Sequence, residues 1–317
     1  MKALIIGGAG FVGGHLANHL EEKGWSVAIT KLPAEPTPGN GREAYDLDIL
    51  APDQVEQLIR DLKPDAIFHL AAQSSVALSW KKPALTIDVN VKGAIHVLDA
   101  VRLVKDYRPR ILLIGSGEEY GQIRPEETPV SEETPVRPGN IYAATKVAQN
   151  LIGGIYAKAY GMEIMMIRAF NHIGAGQAPM FVTADFCKQV AEAEKGQREP
   201  ILRVGNLSAK RDFTDVRDVV RAYVLLLEKG RVGETYNVGS GHAIAIEELL
   251  HRILKLSPLS ISIETDPEKL RPVDIPIIEA DTRKLVGDTG WHPRYPLEET
   301  LRWTLDDWRD KISEGTK

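Results

Sequence analysis

The chain has 317 residues, 43% of them hydrophobic and 26% charged, which suits two domains, or one large α/β domain with an appended lobe, around a sizeable core. A net charge of −5 with no concentrated basic stripe argues against a nucleic-acid partner, and no apolar run reaches the roughly 18 residues of a membrane span. The single cysteine, Cys187, excludes an intramolecular disulfide, and the N-terminus turns to glycine before a signal-peptide core could form, so a soluble cytoplasmic protein is expected. Cys187 itself is expected to be a small buried residue, not a nucleophile.

Residues 2–6 form a short apolar run that predicts a buried parallel strand. Gly7-Gly8-Ala9-Gly10-Phe11-Val12-Gly13 follows at once and leads into a helical pattern over 15–23. Glycines at 7, 10 and 13 allow a tight turn, close approach of amides to a pyrophosphate and close helix–strand packing, with the helix N-terminus towards the anion. The spacing is GxxGxxG; a strand before it and a helix after it favour a dinucleotide site over a plain glycine turn. A second strand is expected over 25–30. Where an NAD-preferring site places an acid against the ribose 2′-hydroxyl, this chain has Thr30-Lys31. No carboxylate stands there to repel a 2′-phosphate and Lys31 would attract one, so NADP(H) is the expected cofactor and NAD(H) the alternative. After a Pro/Gly-rich loop, Asp46-Leu47-Asp48-Ile49 resumes a strand end whose acid suits the adenine amino group.

A further strand at 65–70 ends in His69-Leu70-Ala71-Ala72-Gln73-Ser74-Ser75-Val76, small residues that let the backbone run close to a ligand. His69 is expected as a core histidine without chemistry. A long helix over 85–104 carries Asn90. An apolar strand at 110–114 closes on Gly115-Ser116-Gly117-Glu118-Glu119-Tyr120-Gly121. Strands alternating with helices predict a doubly wound, Rossmann-like parallel sheet that binds ligands at the carboxyl ends of its strands. Tyr142 and Lys146 are spaced i, i+4, one turn apart on one helix face. An ammonium there would lower the phenol's pKa and ready it for proton exchange near neutral pH. No metal site is expected.

Together, Gly7/Gly10/Gly13, the strand-end Ser116 and Tyr142/Lys146 resemble the extended short-chain dehydrogenase/reductases that modify nucleotide sugars, with the three motifs in the same order over nearly the whole chain. The resemblance implies that Phe11, Val12, Leu70, Ala71 and Ala72 join the glycines around the cofactor, with Asp48 and Ile49 at the adenine. It implies that Ser116 hydrogen-bonds the reacting sugar oxygen, Tyr142 exchanges the proton, and Lys146 binds the nicotinamide ribose. Residues 168–177 and 181–183 are similar to a segment of the GDP-sugar branch, with Ala175 where a proline is common. Asn171, Phe181 and Val182 would then meet the substrate, as would Gln73 and Ser75. The 210–218 stretch resembles that branch's RDFTDVRD segment, with Arg211 directed at the diphosphate or nucleoside, where a guanidinium fork suits phosphate oxygens. Arg271-Pro272-Val273-Asp274 resembles a second nucleotide clamp, which makes Arg271 and Asp274 substrate contacts. Residues 281–293 resemble the family's sugar-domain signature, and the terminal helix with Trp303 and Trp308 is expected to pack. The implied division is a dinucleotide-binding domain over 1–168, with a returning segment near 206–240, and a nucleotide-sugar lobe that is mainly 169–317.

Members of this family share the Ser-Tyr-Lys set and differ in reaction. The 4,6-dehydratases place a hydroxyl or carboxyl residue next to the serine or threonine, then a glutamate. Here the positions hold Gly117 and Glu118, so Glu118 could serve, but residue 117 has no side chain to protonate a leaving hydroxyl. Glu118-Glu119 followed by Tyr-Gly instead resembles the loop of GDP-4-keto-6-deoxy-mannose reductases. That likeness implies hydride transfer from NAD(P)H to C4 of GDP-4-keto-6-deoxy-D-mannose, giving GDP-D-rhamnose or its C4 epimer GDP-6-deoxy-D-talose. It also implies a homodimer joined through a four-helix bundle of the 85–104 and 142–160 helices. A GDP-mannose 4,6-dehydratase, a nucleotide-sugar 4-epimerase and a non-catalytic NADP-binding sensor are the alternatives.

Overall fold

The apolar run after Met1 lies in the middle of a seven-stranded sheet covered on both faces, which is why it shows no alternation: Ala3, Leu4, Ile5 and Ile6 are all fully buried. The computed structural model describes residues 1–37, 41–269 and 275–314. In chain order its elements are β1 (Lys2–Ile6), α1 (Phe11–Glu22), β2 (Ser26–Lys31), β3 (Glu43–Asp46), α2 (Pro52–Leu62), β4 (Ala66–His69), α3 (Val76–Lys81), α4 (Pro83–Ile87), α5 (Gly93–Leu103), β5 (Arg110–Ser116) and α6 (Ile141–Tyr160). There follow β6 (Glu163–Ala169), β7 (Asn171–Ile173), α7 (Val182–Glu194), β8 (Ile201–Val204), β9 (Lys210–Asp215), α8 (Val216–Lys229), β10 (Thr235–Val238), β11 (Ala243–Ala245), α9 (Ile246–Leu254), β12 (Ser262–Thr265), β13 (Ile277–Ile278), α10 (Arg283–Thr289) and α11 (Leu297–Glu314).

The main sheet has the order β10-β6-β5-β4-β1-β2-β3 with every pairing parallel, the doubly wound sheet expected from the alternation of strands and helices. From β1 the chain winds outward through β2 and β3, then crosses back to β4. The carboxyl ends of β1 and β4 therefore flank the switch point where such sheets bind ligands. Alternate residues of each strand feed opposite cores. Ala3, Ile5 and Phe68 pack with Leu16, Leu20 and Tyr223 from α1 and α8, while Leu4, Ile6 and Ile67 pack with Val97 and Leu98 of α5. The helix expected over 85–104 begins instead at Pro83 and is widened by one π-type turn, Asp88–Lys92, around the buried Asn90. Such turns recur at functional sites.

A smaller sheet joins β9 to β11, β13 and β7, and β8 pairs with β12. Behind these strands a third core holds Phe186, Leu202, Phe213, Leu249, Leu305 and Trp308, with Cys187 fully buried among them. Because β9 belongs to the small sheet, the chain returns to the main layer at Val216, not near 206. Residues 281–293, expected as a sugar-lobe signature, also pack elsewhere: α10 lies against α8 and the edge strand β10. There Tyr236 Oη donates to Asp288 Oδ2 at 2.7 Å, and the buried Trp291 indole donates to Asp218 O at 3.0 Å. An edge strand left open would present unpaired backbone groups, and this segment covers it. Among the described residues no helix is long and apolar enough to cross a membrane.

Candidate active site

The end of β5 and the start of α6 are tied together by their caps. Ser116 N-caps a short 3₁₀ turn over 117–120, its Oγ accepting from the Glu118 N–H at 3.2 Å. Asn140 caps α6 by accepting from the Ala143 N–H at 2.8 Å, and its amide donates to Glu118 Oε2 at 3.2 Å. Ser116, Glu118, Tyr142 and Lys146 thereby come together, with the Ser116 hydroxyl beside the Tyr142 phenol. Lys146 is buried and points at the sheet, donating to Ile114 O at 2.8 Å and Gln149 Oε1 at 3.1 Å.

The electrostatics correct one expectation. Burial pushes the Tyr142 phenol up to about 12; the neighbouring Ser116 hydroxyl opposes this, and Glu118 and Glu119 add to it. Burial pushes Lys146 down to about 8, with Glu119 opposing. The ammonium does not depress the phenol as its i, i+4 spacing suggested, because burial dominates at Tyr142 and the Lys146 amine is turned to Ile114 O of β5. At neutral pH Tyr142 is a phenol and a potential proton donor. His69 is a neutral core histidine, pushed down to about 3 by burial and then by Lys146.

The glycine loop fits a dinucleotide. Gly7 has φ +80°, and a Cβ there would lie 2.7 Å from the Ala71 backbone; a Cβ on Gly13 would lie 2.5 Å from Gly8 O. Gly10 caps α1 without a side chain, and the first turn carries no acid, so its amides are left for an anion. Phe11 and Val12 open that helix, the Phe11 ring stacked on His172 at 6.1 Å between centroids. The N–H groups of Leu70 and Ala71 both donate to Ile6 O, at 2.9 and 2.8 Å, which holds the 70–72 backbone, Ala72 included, alongside Gly7.

Two other expectations change at the far end of this cleft. Asp48 is exposed, but the Ile49 side chain is buried in the core below α5, so only the acid is open to an adenine. Lys31 is not a free loop cation: it ends β2, is buried, and donates to Asp46 Oδ1 at 2.5 Å. A carboxylate does stand at the end of β2, supplied by β3, because the two strands pair Lys31 with Asp46. Linear sequence does not reveal that neighbour.

On the substrate side, the Gln73 carboxamide is committed locally, donating to Thr86 Oγ1 at 2.9 Å and accepting from the Ser75 N–H. Ser75 Oγ caps α3 by accepting from the Leu78 N–H at 3.2 Å. Asn171 and Phe181 are exposed, and Val182 is half-buried at the start of α7. Arg211 is buried on β9 and donates to Ile275 O at 2.7 Å and Lys210 O at 2.9 Å. Arg271 and Asp274 lie outside the described residues.

Sequence reasoning assigned no role to Asn90. Its Nδ2 donates to Thr145 Oγ1 at 2.9 Å and Gln73 O at 3.1 Å, and its Oδ1 accepts from the Gln73 N–H at 2.8 Å. One buried amide thus clamps the β4 loop to the helix that carries Tyr142. An asparagine flanked by Val89 and Val91 was the available signal.

The family model described as GDP-mannose 4,6 dehydratase matches residues 4–304. The chain belongs to that family. It is 33% identical over 313 residues to the GDP-6-deoxy-D-mannose reductase of Pseudomonas aeruginosa, with 99% of each chain covered. It is 27% identical over 342 residues to the GDP-mannose 4,6-dehydratase of Yersinia enterocolitica, covering 94% of this chain and 91% of that one. Among solved structures, RMD from Pseudomonas aeruginosa complexed with NADPH superposes with a TM-score of 0.88 at 32% identity, covering 98% of this chain and all 100% of that one. The UDP-glucose 4-epimerase of Thermus thermophilus in complex with NAD gives 0.87 at 28% identity, with 98% and 99% covered. This family member is an extended short-chain dehydrogenase/reductase of the nucleotide-sugar type, an NAD(P)-dependent oxidoreductase.

Proposed function

We propose that the chain reduces the C4 ketone of GDP-4-keto-6-deoxy-D-mannose, giving GDP-D-rhamnose or its C4 epimer GDP-6-deoxy-D-talose for deoxysugar and polysaccharide biosynthesis. NADP(H) is the proposed cofactor, with NAD(H) as a substitute. The observation that carries this reading is the turn after β5. Position 117 is a glycine packed against Phe170, with no side chain to protonate a departing hydroxyl, while Ser116 and a protonated Tyr142 stand ready beside it. The likeness to the reductase of Pseudomonas aeruginosa over 99% of both chains supports the same reading.

When bound, the reduced nicotinamide supplies the hydride. Ser116 Oγ then steadies the ketone oxygen as it gains charge, and Tyr142 Oη delivers the proton that makes the alcohol. Lys146 holds the nicotinamide ribose, the glycine loop holds the pyrophosphate, and Asn171, Phe181, Val182 and Arg211 meet the sugar nucleotide. In this reading residues 1–168 and the returning α8–β10 segment form the cofactor half, and the remainder is mainly the sugar lobe.

A second reading, GDP-mannose 4,6-dehydratase, is favoured by one observation: Glu118 is held by Asn140 next to Tyr142, where a dehydratase glutamate belongs. The deciding assay uses cofactor-stripped protein, GDP-4-keto-6-deoxy-D-mannose generated in situ, and NADPH. Rapid loss of nicotinamide absorbance supports the reductase, and the product's C4 configuration names the sugar. No oxidation, with a 4-keto sugar formed from GDP-mannose, replaces it by the dehydratase. We further infer a cytoplasmic homodimer joined through a four-helix bundle, since Leu85, Ile87, Leu103, Leu151, Ile155 and Tyr160 leave apolar surface exposed on α4, α5 and α6. A monomer in light scattering would remove that part.

A further inference from the structure

Beneath Ser116 lies a charged group that the proposed reaction does not use. Glu119 is fully buried, its Oε1 accepting from the Ser116 N–H at 2.9 Å and its Oε2 from Arg168 Nε at 2.9 Å. Arg168, at the end of β6, is fixed in turn: it donates to Tyr120 Oη at 3.1 Å and Glu132 O at 3.2 Å, and stacks on the Tyr120 ring. Tyr120 Oη donates to Asn237 Oδ1 at 2.6 Å, which anchors the network to β10. Residue 115 must be glycine here, since a Cβ would collide with Glu119 Oε1 and Ile167 O. Burying a carboxylate is costly unless it is paired and hydrogen-bonded, so this turn is built around Glu119 at some expense to stability.

We propose that Glu119, held by Arg168, is a positioning residue that fixes the Ser116 backbone and so places the hydroxyl that meets the ketone oxygen. The inference rests on the reductase reading. Glu119 bonds the Ser116 N–H directly, and Arg168 from β6 holds the carboxylate in that orientation, so the strand end that carries the Ser116 hydroxyl is tied to β6 through one side chain.

The test compares kcat, KM and NADPH affinity in wild type, Glu119→Gln and Glu119→Asp. In Glu119→Gln the carboxamide no longer pairs with Arg168, so kcat is expected to drop about tenfold as Ser116 loosens, with KM and NADPH affinity unchanged. Glu119→Asp keeps the charge but shortens the reach and should show the same split. If Glu119→Gln does not fold, Glu119→Gln with Arg168→Gln removes both charges and should still show the lowered kcat. A folded variant that turns over like wild type overturns the proposal. If wild type does not oxidise NADPH but forms a 4-keto sugar from GDP-mannose, the same split read in that reaction sustains the role of Glu119 and removes the substrate reading.

Discussion

Lys31 Nζ lies 2.5 Å from Asp46 Oδ1, an ion pair made across two neighbouring parallel strands that hold these residues in register. The lysine is buried and the aspartate exposed, so the cation that would draw a 2′-phosphate is already compensated. Asp46→Asn frees it. We expect NADPH to bind about tenfold tighter, roughly 1.4 kcal/mol, with NADH little changed, as measured by calorimetric titration of both dinucleotides. An equal shift for both, or none, would place 2′-phosphate recognition elsewhere.

Tyr142→Phe removes the proton donor and leaves the fold of α6 intact. Turnover should fall by about 10²–10⁴-fold while cofactor affinity stays within about twofold. Near-normal turnover would show that another group delivers the proton.

Lys146 is stabilising to nothing but function. Its folded-state pKa of about 8 lies below the ordinary 10.5, so at neutral pH the folded chain bears the cost of a buried ammonium that the unfolded chain does not. Lys146→Met should therefore raise stability, by up to about 3 kcal/mol at pH 7, while turnover collapses. As pH rises through 8 the native lysine loses its proton and the advantage shrinks, vanishing above 10.5. Urea unfolding at a series of pH values measures it; a variant less stable than wild type at pH 7 contradicts the argument.

Two neighbouring glycines make a controlled pair. A Cβ on Gly13 would lie 2.5 Å from Gly8 O, whereas one on Gly14 meets nothing within 4 Å. Gly13→Ala should abolish dinucleotide binding by pushing α1 off the loop. Gly14→Ala should leave binding intact and stabilise the helix by about 0.5–1 kcal/mol. Loss of binding in both would mean that helix stiffness, not the close approach, matters there.

Much of this was legible in order along the chain. The glycine loop between strand and helix, the parallel sheet, Ser116 at a strand end and the Tyr142/Lys146 pair are local patterns, set by a period of 2 or 3.6 residues or by turns that only glycine makes. Cys187 and His69 as core residues followed from composition alone. The errors share one cause. Asp46 beside Lys31, Ile49 turned into the core and α10 sealing β10 are all matters of which distant residue lies next door.

The sequence by itself determined the fold class and the residue types that gather at the carboxyl edge of the sheet, because backbone periodicity and side-chain functional groups are properties of short segments. Only the tertiary structure decided how charged each group is. Tyr142 is held as a phenol, Lys146 is weakened as a base, and Glu119 is locked under Ser116 by Arg168 from a strand 49 residues away. Those outcomes depend on desolvation and on partners brought together by β5, β6 and α6, and no window of the sequence contains them.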